Sequence, residues 1–133
     1  MFEYHGWISI RYHTHDTNEE KQTLCVKKVA ELASAYNFPL VKDLQYNGLE
    51  TIHFAGQHNH FSPKVPDFFS KVGEIALGSY GLLFILDDED PDHYNQFQKF
   101  TLIRGKISRT IEESLSPFIP IVEDESDPSR PDF

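Results

Sequence analysis

The sequence contains one cysteine and no long apolar run. Cys25 has no second cysteine with which to pair, so an internal disulfide is excluded and nothing indicates passage through an oxidising compartment. No stretch approaches the roughly 18 apolar residues that a membrane-spanning helix requires. Residues 1–7 have neither the basic region nor the apolar region of a signal peptide. We therefore expect a cytoplasmic protein that does not enter a membrane.

Basic residues are scarce as well. The chain has 12 Lys and Arg against 21 Asp and Glu, which gives a formal net charge of −9. Such a charge repels nucleic-acid phosphates and anionic lipids, and it raises the rate of encounter with basic partners. Binding to nucleic acid is therefore not expected. Two interpretations of the acidity stay open: it maintains solubility, or it serves recognition of a basic protein surface.

Catalytic motifs are missing too. Neither the Gly-x-Ser-x-Gly of hydrolases nor the Gly-x-x-x-x-Gly-Lys-Ser/Thr of phosphate loops occurs. Cys25 falls on the apolar stripe of a predicted helix, which is typical of a buried thiol rather than a nucleophile. The pairs His13/His15 and His58/His60 have a spacing that suits a metal, but no further ligand motif accompanies them. We predict no metal, no cofactor and no enzymatic activity.

The length of 133 residues suits one domain. From Phe2 to Tyr12, apolar and polar residues alternate with the period of a half-buried strand, and Trp7 falls on the otherwise polar side. A helix follows, with Asp16 or Thr17 as the predicted N-cap and its end at Asn37. Its apolar stripe comprises Cys25, Val29, Leu32, Ala33 and Tyr36.

The middle of the chain predicts a hairpin and a second helix. Asn47-Gly48 is a strong signal for a type I′ turn within residues 40–56, and Ile52 and Phe54 are the expected inward side chains. Ser62-Pro63 predicts the start of the second helix, with Gly78 as its stop. The apolar positions of that helix are Val65, Phe68 or Phe69, Val72, Ile75 and Ala76.

The remaining strands come late in the chain. Residues 80–86 are apolar on both faces, as in a central strand covered on both sides. One further strand is predicted from Phe100 to Ile103, continuing through Arg104-Gly105 toward Ile107. The proline-rich residues 115–122 predict an extended segment, and an acidic, flexible tail covers residues 123–133.

The predicted order of elements is β-α-β-β-α-β-β within a single α+β domain over residues 1–122. Two helices on one face of a mainly antiparallel sheet give a ferredoxin-like arrangement. The other face should then be polar, yet the strand over residues 82–86 is not. The C-terminal segment, a second copy of the chain or a partner would have to cover it.

Two features stand out as candidate binding residues. The run Asp87-Asp88-Glu89-Asp90-Pro91-Asp92 places five carboxylates in six residues directly after the central strand. It is either a solvated turn or a negatively charged protrusion that binds in a partner's cleft lined by Arg and Lys. Trp7 is either core packing or an exposed anchor, because tryptophan is enriched among interface hot spots.

Three stretches of the sequence are informative when taken together. They are the opening residues 2–7, Ser79-Tyr80-Gly81-Leu82-Leu83 leading into the acidic run, and the C-terminal stretch from Leu115 to Asp124. In these stretches the sequence resembles the immunity protein 7 family of bacterial polymorphic toxin systems. These stretches follow one another in the same order over nearly the whole length.

This resemblance implies a cytoplasmic antitoxin that binds the toxin domain delivered by a neighbouring cell and blocks its active site or substrate surface. Many such toxins are nucleases with basic clefts, which an acidic inhibitor would complement. The predicted contact residues are Asp87, Asp88, Glu89, Asp90 and Trp7. The alternative is a dimeric or ligand-binding regulatory module that uses its apolar face to self-associate, so a homodimer stays open.

Overall fold

A computed structural model describes residues 1–37, 42–46, 49–117, 128–129 and 131 of the chain. Within these residues the chain forms six strands and two helices. The elements are β1 (Phe2–Ile10), α1 (Glu19–Ala35), β2 (Lys42–Tyr46), β3 (Leu49–His58), α2 (Lys64–Ile75), β4 (Tyr80–Asp87), β5 (Gln98–Ile103) and β6 (Lys106–Ile111).

The strands form one sheet in the order β2-β3-β1-β4-β5-β6, and all described pairs are antiparallel. The α+β class with an antiparallel sheet is therefore confirmed. The predicted ferredoxin-like order is not confirmed, because the described residues form six strands, one more than predicted, whereas that arrangement has four.

The two sides of β1 differ as the alternation predicted. Its even-numbered residues face the core, and Phe2, Tyr4, Ile8 and Ile10 are at most 1% exposed. They belong to one apolar cluster with the buried residues of both helices, so the helices cover the same side of the sheet. We call the opposite side, which carries Trp7, Leu82 and Phe84, the open face.

Helix α1 buries the predicted stripe. Cys25, Val29 and Ala33 are buried, while the side chains at the edge of the stripe are half-buried. The predicted N-cap was wrong: the cap is Asn18, whose side-chain oxygen accepts a hydrogen bond from the Lys21 N–H at 3.0 Å.

Helix α2 also follows its predicted pattern, with corrections at its start and its outer face. Val65, Phe68, Phe69, Val72 and Ala76 are all completely buried. The N-cap is Pro63 without a side-chain cap bond, so Ser62 does not cap the helix. Ile75 is 39% exposed and is not a core residue.

The hairpin of β2 and β3 is confirmed by its register, in which Tyr46 lies opposite Leu49. Ile52 and Phe54 are the inward residues of β3, at 2% and 1% exposure. The turn signal Asn47-Gly48 itself lies outside the described residues.

The prediction of one continuous strand from Phe100 through Arg104-Gly105 was wrong. The chain reverses there, because Arg104 (φ 49°) and Gly105 (φ 76°) both adopt positive φ, as a type I′ turn requires. Ile103 then pairs with Lys106, and β6 forms an additional strand beside β5. Arginine is not among the usual residues of this turn, which is why the signal was missed.

The predicted extended segment over residues 115–122 and the tail from residue 123 lie largely outside the described residues, so both remain predictions. Among the described residues, no helix is long and apolar enough to cross a membrane.

Candidate functional site

The acidic run lies in the connection between β4 and β5, and we call residues 87–92 the acidic loop. Two of its carboxylates hold the backbone of the loop. The Oδ1 atom of Asp87 accepts from the Glu89 N–H at 3.1 Å, and the Oδ1 atom of Asp90 accepts from the Asp92 N–H at 2.9 Å. Such side-chain to backbone bonds define Asx turns. The loop is therefore locally ordered, and Asp87 and Asp90 have a structural role in it.

The carboxylates between them point outward. Asp88 accepts a hydrogen bond from the Met1 amino group at 2.5 Å, and its side chain remains 34% exposed. Glu89 lies 2.7 Å from the Nδ1 atom of His60, and its side chain is 53% exposed. Both groups are thus accessible to a partner, although each already has a neighbour within the chain.

Trp7 lies on the open face, between His53 of β3 and Leu82 of β4 in the sheet register. Its ring meets that of Tyr80 edge to face, with the centroids 6.0 Å apart. The side chain is half-buried, and Tyr80 beside it is 40% exposed. Trp7 thus lies on the side of β1 opposite the core residues, as the alternation predicted, and its use as an interface anchor remains a prediction.

The acidic loop and Trp7 do not form one site. Asp87 lies opposite Phe2 at the start of β1, and Trp7 is five residues further along that strand. At about 3.3 Å per residue, this separation is about 17 Å. The candidate contact residues therefore belong to two separate surfaces.

The open face is apolar at its centre, as the sequence of β4 predicted. Leu86 is 2% exposed, and Phe97, which follows the acidic loop, is 9% exposed. The ring of Phe97 lies 6.4 Å from that of His5 on β1. The side chain of Phe97, directly before β5, thus covers part of one end of this face.

A third surface could not be predicted from the sequence. A pocket of about 280 Å³ opens at the end of the sheet opposite the acidic loop, and we call it the arginine pocket. Its lining residues include Arg11, His15, Ser79, Tyr80, Ile103 and Arg104. These residues come from the end of β1, the segment before α1, the start of β4 and the β5–β6 turn. Their convergence depends on strand register, which no local motif reveals.

The histidines do not converge on a metal site. In the part of the chain that the structure describes, no group of three or more His, Cys, Asp or Glu could hold an ion. The rings of His13 and His15 lie 6.3 Å apart, and His60 bonds to Glu89 instead.

Cys25 is buried at 4% exposure, and this burial raises the pKa of its thiol. A thiol that stays protonated is a poor nucleophile. The position of Cys25 in the packed face of α1 is the one predicted for a small core residue.

The fold and these surfaces describe an α+β domain whose notable features are surface charge and exposed aromatic residues. The model of the immunity protein 7 family matches residues 1–124. The chain therefore belongs to the immunity protein 7 family. No curated protein and no solved structure matches it.

Proposed function

We propose that this chain neutralises a cognate toxin domain by binding to it, and that the toxin is a nuclease whose basic active-site cleft or substrate surface is blocked. Membership of an immunity protein family supports a toxin partner. The acidic loop carries the nuclease assignment, because a cleft that holds phosphates is basic and would complement a loop with five carboxylates.

The order of the acidic loop supports recognition over simple solubility. Asp87 and Asp90 fix the backbone, so Asp88 and Glu89 are presented from a defined position at the end of β4. A preorganised charge loses less conformational freedom on binding than one on a flexible segment. Trp7 would serve as an apolar anchor on a separate part of the interface.

The proposal includes a stoichiometric role in the cytoplasm, without catalysis, cofactor, nucleic-acid binding or membrane association. The net charge of −9 supports the exclusion of nucleic acid. The alternative is a dimeric or ligand-binding regulatory module, and the exposed side chains of Tyr80 and Ile103 on the open face are the observation that favours self-association. A protein that dimerises through this face would elute from gel filtration at a volume that depends on its concentration.

The decisive experiment is co-expression with the C-terminal domain of the protein encoded immediately upstream. We expect that domain to arrest growth when expressed alone, this chain to restore growth, and the two to co-purify. Nuclease activity of the purified domain should disappear at a 1:1 ratio with this chain.

An unrelated acidic immunity protein is the control for non-specific charge effects. Toxicity without rescue or complex formation would contradict the proposal. If this chain restores growth against a toxin domain that does not degrade nucleic acid, only the nuclease assignment would be contradicted.

A further inference from the structure

The arginine pocket concentrates positive charge in an acidic protein. Arg11 and Arg104 line it, and among the residues that the structure describes no carboxylate does. Acidic residues outnumber basic ones 21 to 12 in the chain. Even so, neither arginine forms an ion pair with any described residue. Because neither guanidinium group has a counter-ion within the described part of the chain, an anion bound in the pocket would be attracted by both.

The wall of the pocket that carries Arg11 is fixed by backbone contacts. The N–H of Arg11 donates to the Oγ atom of Ser79 at 3.0 Å, and its carbonyl accepts from the Gly78 N–H at 3.0 Å. Ser79 is completely buried. A Cβ at Gly78 would lie 2.4 Å from the carbonyl carbon of His13, so only glycine permits this approach.

The other wall holds Arg104 in an unfavourable backbone conformation. Its φ of 49° lies in the left-handed region, where Asn, Asp or Gly is usual and other residues lose about 1–2 kcal/mol. Residues in such conformations cluster at functional sites. The turn places Arg104 beside Ile103, on the same pocket as Arg11.

The rim of the pocket has the composition of a protein interface. Tyr80 is 40% exposed and Ile103 is 55% exposed, and Trp7 packs against Tyr80. Trp, Tyr and Arg are the residues most enriched among interface hot spots. The apolar rim would exclude water from a charge pair formed at the centre, which strengthens that pair.

Size and charge narrow the kind of ligand. The volume of about 280 Å³ lies at the lower end of the roughly 300–1,000 Å³ range of pockets that enclose small molecules. A nucleic acid would be repelled by the net charge of −9. A single carboxylate presented by a protein partner fits the small volume of the pocket and does not bring the many negative charges of a nucleic acid.

We propose that the arginine pocket binds an Asp or Glu side chain of a protein partner, with Trp7 and Tyr80 as the adjoining apolar anchors. The identity of that partner as the toxin rests on the proposed function above. The pocket and the acidic loop lie at opposite ends of β4, seven residues or about 23 Å apart. The partner would therefore present a carboxylate and a basic surface at a matching distance, which fixes its orientation.

The test compares single charge-neutral variants for binding to the upstream-encoded toxin domain. Arg11→Gln and Arg104→Gln should each weaken binding about tenfold or more, mainly through faster dissociation. Arg109→Gln is the matched control, because Arg109 is exposed on the same hairpin, bonds to Gln98 and does not line the pocket. It should bind like wild type. Unchanged affinity in both pocket variants would overturn the proposal.

A second arm separates failure of this proposal from failure of the toxin assignment. A hexa-aspartate peptide is titrated into the isolated protein, and the backbone amide signals of Ser79 and Arg104 are followed by NMR. Saturable shifts that disappear in Arg11→Gln and Arg104→Gln would support the pocket even if the upstream domain is not the partner. No shifts, or equal shifts with inorganic phosphate at the same concentration, would overturn a carboxylate site.

Discussion

The ring of Phe54 lies directly across Gly6 of the neighbouring strand. A Cβ at Gly6 would stand 2.5 Å from the Cζ atom of that ring, and the two residues are register partners. Phe54 extends from there to an edge-to-face contact with Phe68 of α2, with centroids 5.6 Å apart. The glycine that interrupts the apolar side of β1 thus makes room for a core ring that joins the sheet to the second helix.

This relationship predicts that Gly6→Ala destabilises the fold by about 1–3 kcal/mol, because the added methyl group overpacks the core. Phe54→Leu should relieve the clash, so the double variant should lose less stability than the two single losses added together. Chemical denaturation of the four proteins measures this coupling. Additive losses would show that the ring of Phe54 is not the obstacle.

The acidic loop predicts an effect on the rate of association. Asp88→Lys combined with Glu89→Lys should slow binding to the toxin domain about tenfold at low ionic strength and reduce its salt dependence, because steering charge is reversed. Stopped-flow mixing at several salt concentrations measures both quantities. Glu31→Lys combined with Glu74→Lys, on the helices, has the same change in net charge. Equal slowing in that control would assign the effect to overall charge instead of the loop.

Trp7 is the only tryptophan of the chain, so a single 5-fluorotryptophan label reports on the open face. Its ¹⁹F resonance should shift on binding of the unlabelled toxin domain, because a half-buried ring that becomes an interface anchor changes its surroundings. Trp7→Ala should weaken binding by about 2 kcal/mol, the scale of a hot spot. An unmoved resonance in a formed complex would exclude Trp7 from the interface.

Arg104 predicts opposite effects on stability and on binding. Arg104→Asn should stabilise the fold by about 1 kcal/mol, since Asn tolerates the left-handed conformation better, and should still weaken toxin binding. Arg109→Asn on β6 is the control and should gain no stability, because Asn is disfavoured in strands. Thermal unfolding and binding are measured on the same samples. A variant that gains both stability and affinity would argue against a functional reason for Arg104.

Tyr36 predicts a pH-dependent contribution to stability. Its hydroxyl donates to the Oδ2 atom of Asp67, which joins the end of α1 to the first turn of α2. This hydrogen bond is the main reason that the pKa of Tyr36 is raised above 10.0. A group whose pKa is higher in the folded state than in the unfolded state stabilises the fold fully at pH values below its unfolded-state pKa. That contribution is lost as the pH rises through its folded-state pKa.

Tyr36→Phe should therefore be less stable than wild type at neutral pH, and the difference should disappear well above pH 10. Denaturation at both pH values tests this expectation. Tyr94→Phe is the control, since Tyr94 is a 45% exposed tyrosine in the connection between β4 and β5. A difference that persists at high pH would assign the effect to packing.

Local patterns were sufficient for most of the fold. The alternation in β1 and the apolar stripe of α1 identified the inward residues, because burial on one side of an element imposes its period on the sequence. Cap positions were less accurate: Asp16, Thr17 and Asn18 all suit an N-cap, and only the hydrogen bond to Lys21 singles out Asn18. The β5–β6 turn was missed because its first residue is Arg104 rather than the usual Asn, Asp or Gly.

The candidate surfaces were predictable only in part. The acidic loop is contiguous in sequence and was found, whereas its internal bonds through Asp87 and Asp90 depend on backbone geometry. The arginine pocket could not be found, because Arg11 and Arg104 are brought together by strand pairing across the sheet. No alternation or spacing rule relates two residues so distant in the chain.

Strand β6 has a consequence for the mechanics of the molecule. Among the described residues it pairs with β5 alone, and Lys106 through Thr110 are all exposed. Few buried contacts hold such a strand, so it should open locally at a lower free energy than the rest of the sheet and exchange its amide hydrogens faster. The wall of the arginine pocket at Arg11 is then held by the central strands of the sheet, whereas the wall at Arg104 belongs to a hairpin that opens more easily. The proposed contact at Arg104 would then tolerate small differences between the surfaces of related partners.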